Sequence, residues 1–213
     1  MKHFKIFNAG FMLIAAGILF TACRKDPMKQ LTEEESRIYI TNYDKNADFS
    51  SYTTFSISDS VAVIENNRLS GYALTSWDAA FRSAFIQNMQ SRGFVLVNRN
   101  ENPDLGINLS RVYNTYTGVI DYSNYWGYYY DYWDPYYWGY PGYNYYFPPM
   151  YGFYEINEGA ASADMLDLKN SSSNNQINGI WNALLRGTGV FDSGLISEQV
   201  QAVFDQSQYL KRN

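Results

Sequence analysis

Four carboxylates, Asp121, Asp131, Asp134 and Glu155, flank or sit within a run of aromatic residues. Paired carboxylates cleave glycosidic bonds, one acting as acid and the other as base or nucleophile, and sugar enzymes set such acids beside aromatic rings. The spacing selects no pair here, and Asp next to Tyr, Gly and Pro is also ordinary turn chemistry. Asp131 and Asp134 are hard oxygen donors of the kind Ca²⁺ takes, but no loop carries the D-x-[DN]-x-[DN]-G pattern with a distal Glu. Asp164 and Asp167 fall in "ASADMLDLKN", a predicted strand, and read as exposed residues of it. "GTGVFDSG" is rich in Gly, but it lacks the Lys of a phosphate-binding loop and does not lead from a strand into a long helix.

The strongest exclusion comes from residues that are scarce. The chain has one His and one Cys, His3 and Cys23. Both belong to the N-terminal leader or its cleavage site, so the mature chain offers no His and no free thiol. Ser-His-Asp and Cys-His catalysis are excluded, as is a zinc site built on His or Cys. No catalytic residue, cofactor or metal ligand is expected.

Lys2 and Lys5 precede an apolar segment over residues 9–20 and the small residue Ala22. This is the pattern of a secretory signal peptide, too short for a membrane span. Phe20-Thr21-Ala22-Cys23 resembles the lipobox of bacterial lipoproteins, with Phe20 where Leu is usual. The resemblance implies cleavage before Cys23 and acylation of Cys23 through palmitate-type chains. Two or more acyl chains anchor a protein stably where one does not. Arg24 stands where an Asp would favour inner-membrane retention. The expected location is therefore the outer membrane of the cell envelope, on its periplasmic face or at the cell surface. With 16 Lys and Arg against 21 Asp and Glu, the chain is a poor nucleic-acid partner, because phosphate binding relies on clustered cations.

From Tyr113 to Tyr154 the chain concentrates 16 of its 21 tyrosines, together with Trp126, Trp133 and Trp138. Gly and Pro keep this tract from forming a helix, and Tyr and Trp carry an apolar body with a polar tip. Three readings stand side by side. Part of the tract folds back on a sheet as an aromatic hairpin, with the rest a loop. Alternatively Trp126, Tyr129, Trp133, Tyr136, Trp138 and Tyr140 form a surface for a glycan or an envelope protein. In the third, the rings rest among lipid headgroups beside the acyl anchor. If the tract only decorates a complete core, its excision leaves a folded domain.

The elements that would position these groups are readable around the tract. "DFSSYTTFSISDS" alternates like a strand. Trp77, Phe81, Phe85 and Met89 recur every four residues with Ala80 and Ala84 between them, the stripe of an amphipathic helix. Thr75 or Ser76 suits its N-cap, Asp78 its first turn and Gly93 its end. "FVLVN" reads as a short buried strand. "NPDLGINLSRVYNTY" reads as a longer one with Leu105, Ile107 and Leu109 on one face and a slip in alternation at Val112. Leu166 and Leu168 share a face of a later strand, "NGIWNALLRG" forms another, and Val200, Val203, Phe204 and Ser207 line a closing helix capped by Ser197.

These segments predict an α+β domain: a mainly antiparallel sheet with two helices on one face, in the order β-α-β-β-(Tyr-rich insertion)-β-β-α. Residues 1–22 read as signal peptide and 23–37 as acylated Cys and polar tether. Residues 38–213 read as one domain, with the insertion at about 113–154. The Phe49-to-Phe55 opening, Gly93-Phe94, Pro103-Asp104-Leu105, Asp164 to Leu168 and the Trp181-to-Gly187 strand resemble the bacterial lipoprotein family catalogued as domain of unknown function 4136, over about residues 38–210. That family often carries a Gly- and aromatic-rich insertion at this place, and the resemblance implies a fold but no activity. The expected function is a non-catalytic, envelope-anchored binding or structural module. Its partners would be a membrane, through Cys23, and a glycan or envelope protein. The alternative is a carboxylate-dependent enzyme acting on envelope glycans.

Overall fold

Leu105, Ile107 and Leu109 alternate with Gly106, Asn108 and Ser110 along one strand, and both sets are buried. A strand hidden on both sides needs cover on both sides, and two different covers are found. The computed structural model describes residues 36–66, 68–113, 119–121, 132–147, 153–155, 159–171 and 175–212. All of these lie in one unit, Glu33–Asn213. The strands are β1 (Ile38–Tyr43), β2 (Thr54–Ile57), β3 (Val61–Glu65), β4 (Arg68–Ala73), β5 (Val95–Leu96), β6 (Leu105–Tyr113), β7 (Val119–Asp121), β8 (Asn144–Tyr146), β9 (Phe153–Glu155), β10 (Ala160–Asp167) and β11 (Gln176–Arg186). The helices are α1 (Ser76–Ser91) and α2 (Ile196–Asp205). Cys23 and the leader lie outside the described residues. Among the described residues no helix is long and apolar enough to cross a membrane.

The architecture is α+β. Nine of the described strands form one mostly antiparallel mixed sheet, along the path β1-β11-β10-β6-β2-β5. β10 pairs antiparallel with both β6 and β11. The parallel pairs lie at the flanks, where β2 and β3 share one edge of β6 and β8 joins β11. β7 and β9 form a separate antiparallel pair. Between Ile57 and Ala62 the chain spans five residues while β6 advances three, from Ile107 to Ser110. The surplus loops out at Ser58–Ser60. Ser58 keeps the sheet continuous, its N–H donating to Ile107 O at 2.8 Å and its Oγ accepting from Leu109 N.

Helix α1 forms where its stripe predicts. Thr75 is the N-cap, and the Thr75 and Asp78 side chains close a reciprocal capping box. Gly93, at φ +91°, ends the run, its N–H donating to Gln90 O. Phe81 and Phe85 are buried against the odd-numbered side chains of β6 and against Trp181 and Phe204. Arg92 joins the two helices by donating to Phe204 O, Ser207 O and Leu210 O. Phe204 O and Ser207 O also accept from the backbone N–H groups of Ser207 and Leu210, so the guanidinium adds to the turns that close α2.

The structure corrects several expectations. The β3–β4 hairpin was not legible, and its pairing shifts register between Val63 and Ile64. β5 is a two-residue edge strand with Val95 half exposed, not a buried strand. β6 has no slip at Val112, which pairs with Ala160 in unbroken register. Val112 belongs to the second face, and that face is buried as well. α2 starts at Ile196, and Leu195 rather than Ser197 stands at the cap position, with no side-chain cap bond.

Candidate functional site

The side of the sheet away from the helices carries Gly106, Asn108, Ser110 and Val112 of β6, facing the same way as Ala160, Ser162, Asp164 and Leu166 of β10. Gly106 and Gly179 flank Leu166 in register, and both glycines are seats. A Cβ on Gly106 would come within 3.0 Å of the Trp138 ring, and one on Gly179 would overlap the Phe147 ring. Large rings approach the sheet there because no side chain intervenes. Trp138 then donates from Nε1 to Asn108 Oδ1 at 3.1 Å, and Tyr140 donates to Leu168 O at 3.1 Å.

Local chemistry shapes the chain that delivers these rings. Asp134 caps the short 3-10 turn Pro135–Trp138, its Oδ1 accepting from Tyr136 N at 2.8 Å. Pro135 pre-sets the first φ of that turn, and Gly139, at φ +85°, closes it. Tyr145, on β8, is buried beside Ile177 of β11 in the same apolar cluster. Tyr137 stands edge-on to Trp133 and Trp138 at 5.3 and 5.0 Å. Its hydroxyl oxygen accepts from Asp59 N at 2.8 Å, and the Arg99 guanidinium lies 4.6 Å over its ring. Burial pushes the Tyr137 hydroxyl above the usual phenol range. Tyr72, on β4, donates to Tyr132 O and packs edge-on to Trp133 at 5.0 Å. Burial raises the Tyr72 pKa too, and the nearby Asp134 charge adds to it.

A polar row crosses the sheet on this same side. Asn42 pairs with Asn182, Asn182 with Asp164 and Asp164 with Asn108. Asn42 Nδ2 donates to Asn182 Oδ1 at 3.0 Å. Asp164 is fully buried, and neither carboxyl oxygen has a hydrogen-bond partner. Burial therefore holds its carboxyl well above the ordinary carboxylate range. The expectation that Asp164 and Asp167 face solvent is overturned, because period-two polarity marks the solvent side only when one face is wet. Asp167 is likewise buried and accepts from Asn170 N and Nδ2, closing the turn after β10.

The six aromatic residues nominated as a surface separate. Trp133 and Trp138 are 1% and 4% exposed, so both belong to the core and not to a contact surface. They lie in an apolar cluster with Ile64, Val112, Tyr132, Leu166, Ile177 and Leu184. Tyr140 is half-buried against it, and Tyr136 stands 70% exposed. Trp126 and Tyr129 lie outside the described residues. Of the four tract carboxylates, Asp134 is a turn cap. Asp121 and Glu155 are placed only by their backbone, at the ends of β7 and β9, and Asp131 is outside the described residues. Among the described residues no group of three or more acids could hold a metal ion. Gly187–Gly194 folds as successive turns leading to α2, with Gly194 N donating to Asp192 Oδ1. Sequence reasoning missed Tyr72 and Leu74, 50% and 59% exposed. Their only signal was two large apolar residues separated by one residue, at the end of a strand that had not been recognised and just beyond it.

Comparison with known proteins agrees with this architecture. The profile of DUF4136, a domain of unknown function, matches residues 40–207. The crystal structure of a DUF4136 family protein from Bacteroides thetaiotaomicron VPI-5482 superposes with a TM-score of 0.68 at 27% identity, over 84% of this chain and 99% of that one. Two PelC dodecamer structures from Paraburkholderia phytofirmans align at TM-scores of 0.40 and 0.39, with 8% and 12% identity, over 83% of this chain and 99% of theirs. No curated protein matches the chain. From the match over residues 40–207, and the fold it shares with a solved member, the chain belongs to the DUF4136 family.

Proposed function

We propose that this protein is an envelope-anchored module that acts by contact rather than catalysis, held to a membrane through acylated Cys23. It presents the outer side of its aromatic layer to a glycan or an envelope protein. One observation carries the reading: Tyr136 and Tyr72 remain 70% and 50% exposed while the Trp133 ring that Tyr72 touches is buried. Their backbone supports are fixed. Tyr136 sits in a capped turn between Pro135 and the core residue Trp138, and Tyr72 is tied by its hydroxyl to Tyr132 O. Rings held on a rigid base lose little conformational entropy on binding, and tyrosines so placed are typical hot spots. The anchoring half of the proposal rests on the leader and on Phe20-Thr21-Ala22-Cys23.

The test uses the full-length protein in detergent, mixed with purified cell-wall glycan and, separately, with solubilised envelope proteins. Tyr136→Ala is expected to lower retention by about tenfold or more, equivalent to about 1.4 kcal/mol, with no change in melting temperature. Equal retention of parent and variant on both would sink the contact reading. Independently, Cys23→Ala is expected to leave the membrane pellet or to remain unprocessed, and normal lipid labelling of that variant would refute the anchor.

A further inference from the structure

The two partial strands on the outer edge of β2 and β3 leave a gap. β5 covers only Thr54 and Phe55, and β4 reaches no further than Val61, which its last residue, Ala73, faces. Between them lies an open cleft of about 540 Å³, lined among others by Ser56, Ile57, Asp59, Arg82, Arg99 and Glu101. That volume is within the range of small-molecule sites.

Both guanidinium groups at this cleft are oriented by neutral partners. Arg82 donates from Nε to Ser58 O at 2.9 Å, on the looped-out segment itself. Arg99 donates to Tyr137 O at 3.0 Å and lies over the Tyr137 ring. Neither forms an ion pair: among the described residues the ion pairs are Arg37–Glu198 and Arg111–Asp78. Of the two acids on the lining, Glu101 is turned onto Asn98, accepting from its N at 2.7 Å and its Nδ2 at 2.9 Å. Asp59 is exposed; its backbone N–H donates to the Tyr137 hydroxyl oxygen, and its carboxylate lies beside the same hydroxyl and adds to burial in raising the Tyr137 pKa.

We propose that this cleft binds a carboxylated sugar, its carboxylate received by Arg82 and Arg99. A guanidinium fork matches a carboxylate in bidentate geometry. Two cations against two acids on the lining leave the cleft near neutral, which favours a monoanion over a doubly charged phosphate. Ser56, Asn98 and Asn100 supply hydroxyl and amide groups for sugar hydroxyls, and Ile57 and Leu96 supply an apolar floor for the ring. The site is separate from the aromatic surface proposed above, and either can fail without the other.

Calorimetric titration of the full-length protein in detergent at low salt decides the matter, with D-glucuronate, D-glucose and inorganic phosphate as probes. Glucuronate is expected to bind in the millimolar range, a typical strength for one small ligand at an open site, with glucose about tenfold weaker or more. Arg99→Gln is expected to weaken glucuronate about tenfold. Asp59→Asn, which removes a repelling charge at an exposed position, is expected to tighten it severalfold. That gain cannot come from damage to the fold. The proposal is overturned if glucuronate gives no binding heat, if glucose binds equally, if phosphate binds more tightly (an adventitious anion site), or if Asp59→Asn leaves affinity unchanged or lowers it.

Discussion

On the helix side of the sheet, Phe85 touches Phe81, Phe204 and Trp181 edge-to-face at 5.1, 5.4 and 6.4 Å. On the opposite side, Trp138 and Tyr140 pack just as closely but make hydrogen bonds as they do so, to Asn108 Oδ1 and Leu168 O. The two covers solve different problems. The helices satisfy their own backbone and need only apolar side chains below them. The aromatic segment has little regular structure and lies over a sheet face that carries Asn42, Asn182, Asp164 and Asn108. A cover for that face must bring apolar area and polar tips together, and Tyr and Trp are the side chains that do both. This accounts for a tract with hardly any aliphatic residues: its described half is a second core layer built from loop.

The sharpest test of that comparison is excision of residues 132–147 with a short Gly/Ser bridge. On the sequence alone such a deletion leaves a folded domain. With Trp133, Trp138 and Tyr145 in the second core, it is expected instead to expose the polar row and abolish cooperative thermal unfolding. Retention of the parent midpoint would show that the helix side alone makes the fold. Single truncations put the two faces on one scale. Phe85→Ala and Trp133→Ala are each expected to cost about 3–5 kcal/mol in urea unfolding. A cost below about 1 kcal/mol for Trp133→Ala beside a full cost for Phe85→Ala would reduce the aromatic layer to a loosely held flap.

Gly106→Ala tests the seat rather than the ring. The new Cβ would meet both Trp138 and Leu168 at 3.0 Å, so one of them must shift. A loss of about 1–3 kcal/mol is expected, with a change in Trp fluorescence that a helix-face alanine substitution would not give. An unchanged spectrum and stability would mean that Trp138 does not rest on Gly106.

How much of this was legible depended on which face a residue served. Phe81, Phe85 and the Thr75–Asp78 cap could be read because helix periodicity and capping are local signals. Leu105, Ile107 and Leu109 could be read because their alternation is local too. Asn108, Asp164 and Asn182 alternate just as regularly, and Asp164 was misread as exposed because nothing local tells a polar residue in water from one beneath a second layer. Trp133 and Trp138 gave no period at all. Trp138 rests on Gly106, about thirty residues earlier in the chain, and Trp133 packs under Tyr72 of a distant hairpin. The β3–β4 hairpin escaped for a different reason. Its register shift at Val63–Ile64 breaks the alternation, and its turn relies on Asn66 at φ +50°, a conformation that Asn tolerates but does not announce.

Asp164 distinguishes the faces by pH. Its carboxyl keeps a proton in the fold that the unfolded chain releases near the ordinary value of about 3.9. Between that value and its raised folded pKa, the folded state holds more protons than the unfolded one. Stability therefore falls as pH rises through the window, by up to about 1.4 kcal/mol per pH unit, and levels off above it. Asp164→Asn removes the titration. Its urea midpoint, measured from pH 4 to 8, is expected to lack this decline and to exceed the parent's at the upper end. Parallel curves for parent and variant would mean that Asp164 is ionised in the fold.

The smallest expected effect lies three residues from one of the largest. Tyr136 and Trp133 belong to the same aromatic segment, yet Tyr136 points to water from the turn that Asp134 caps while Trp133 lies under Tyr72 and Tyr137. A surface side chain away from packed features contributes little to folding, so Tyr136→Ala is expected to change stability by no more than about 0.5 kcal/mol. The Asp134 cap survives the substitution, because it is made to the backbone N–H of residue 136 and not to its side chain. A ring that costs nothing to remove from the fold, in a segment whose neighbours are core, is available for contact. If Tyr136→Ala destabilised the protein as Trp133→Ala does, the ring would be part of the packing, and the contact surface would lose its most exposed member. Urea unfolding of the two variants side by side separates these outcomes and fixes where the second core ends and the surface begins.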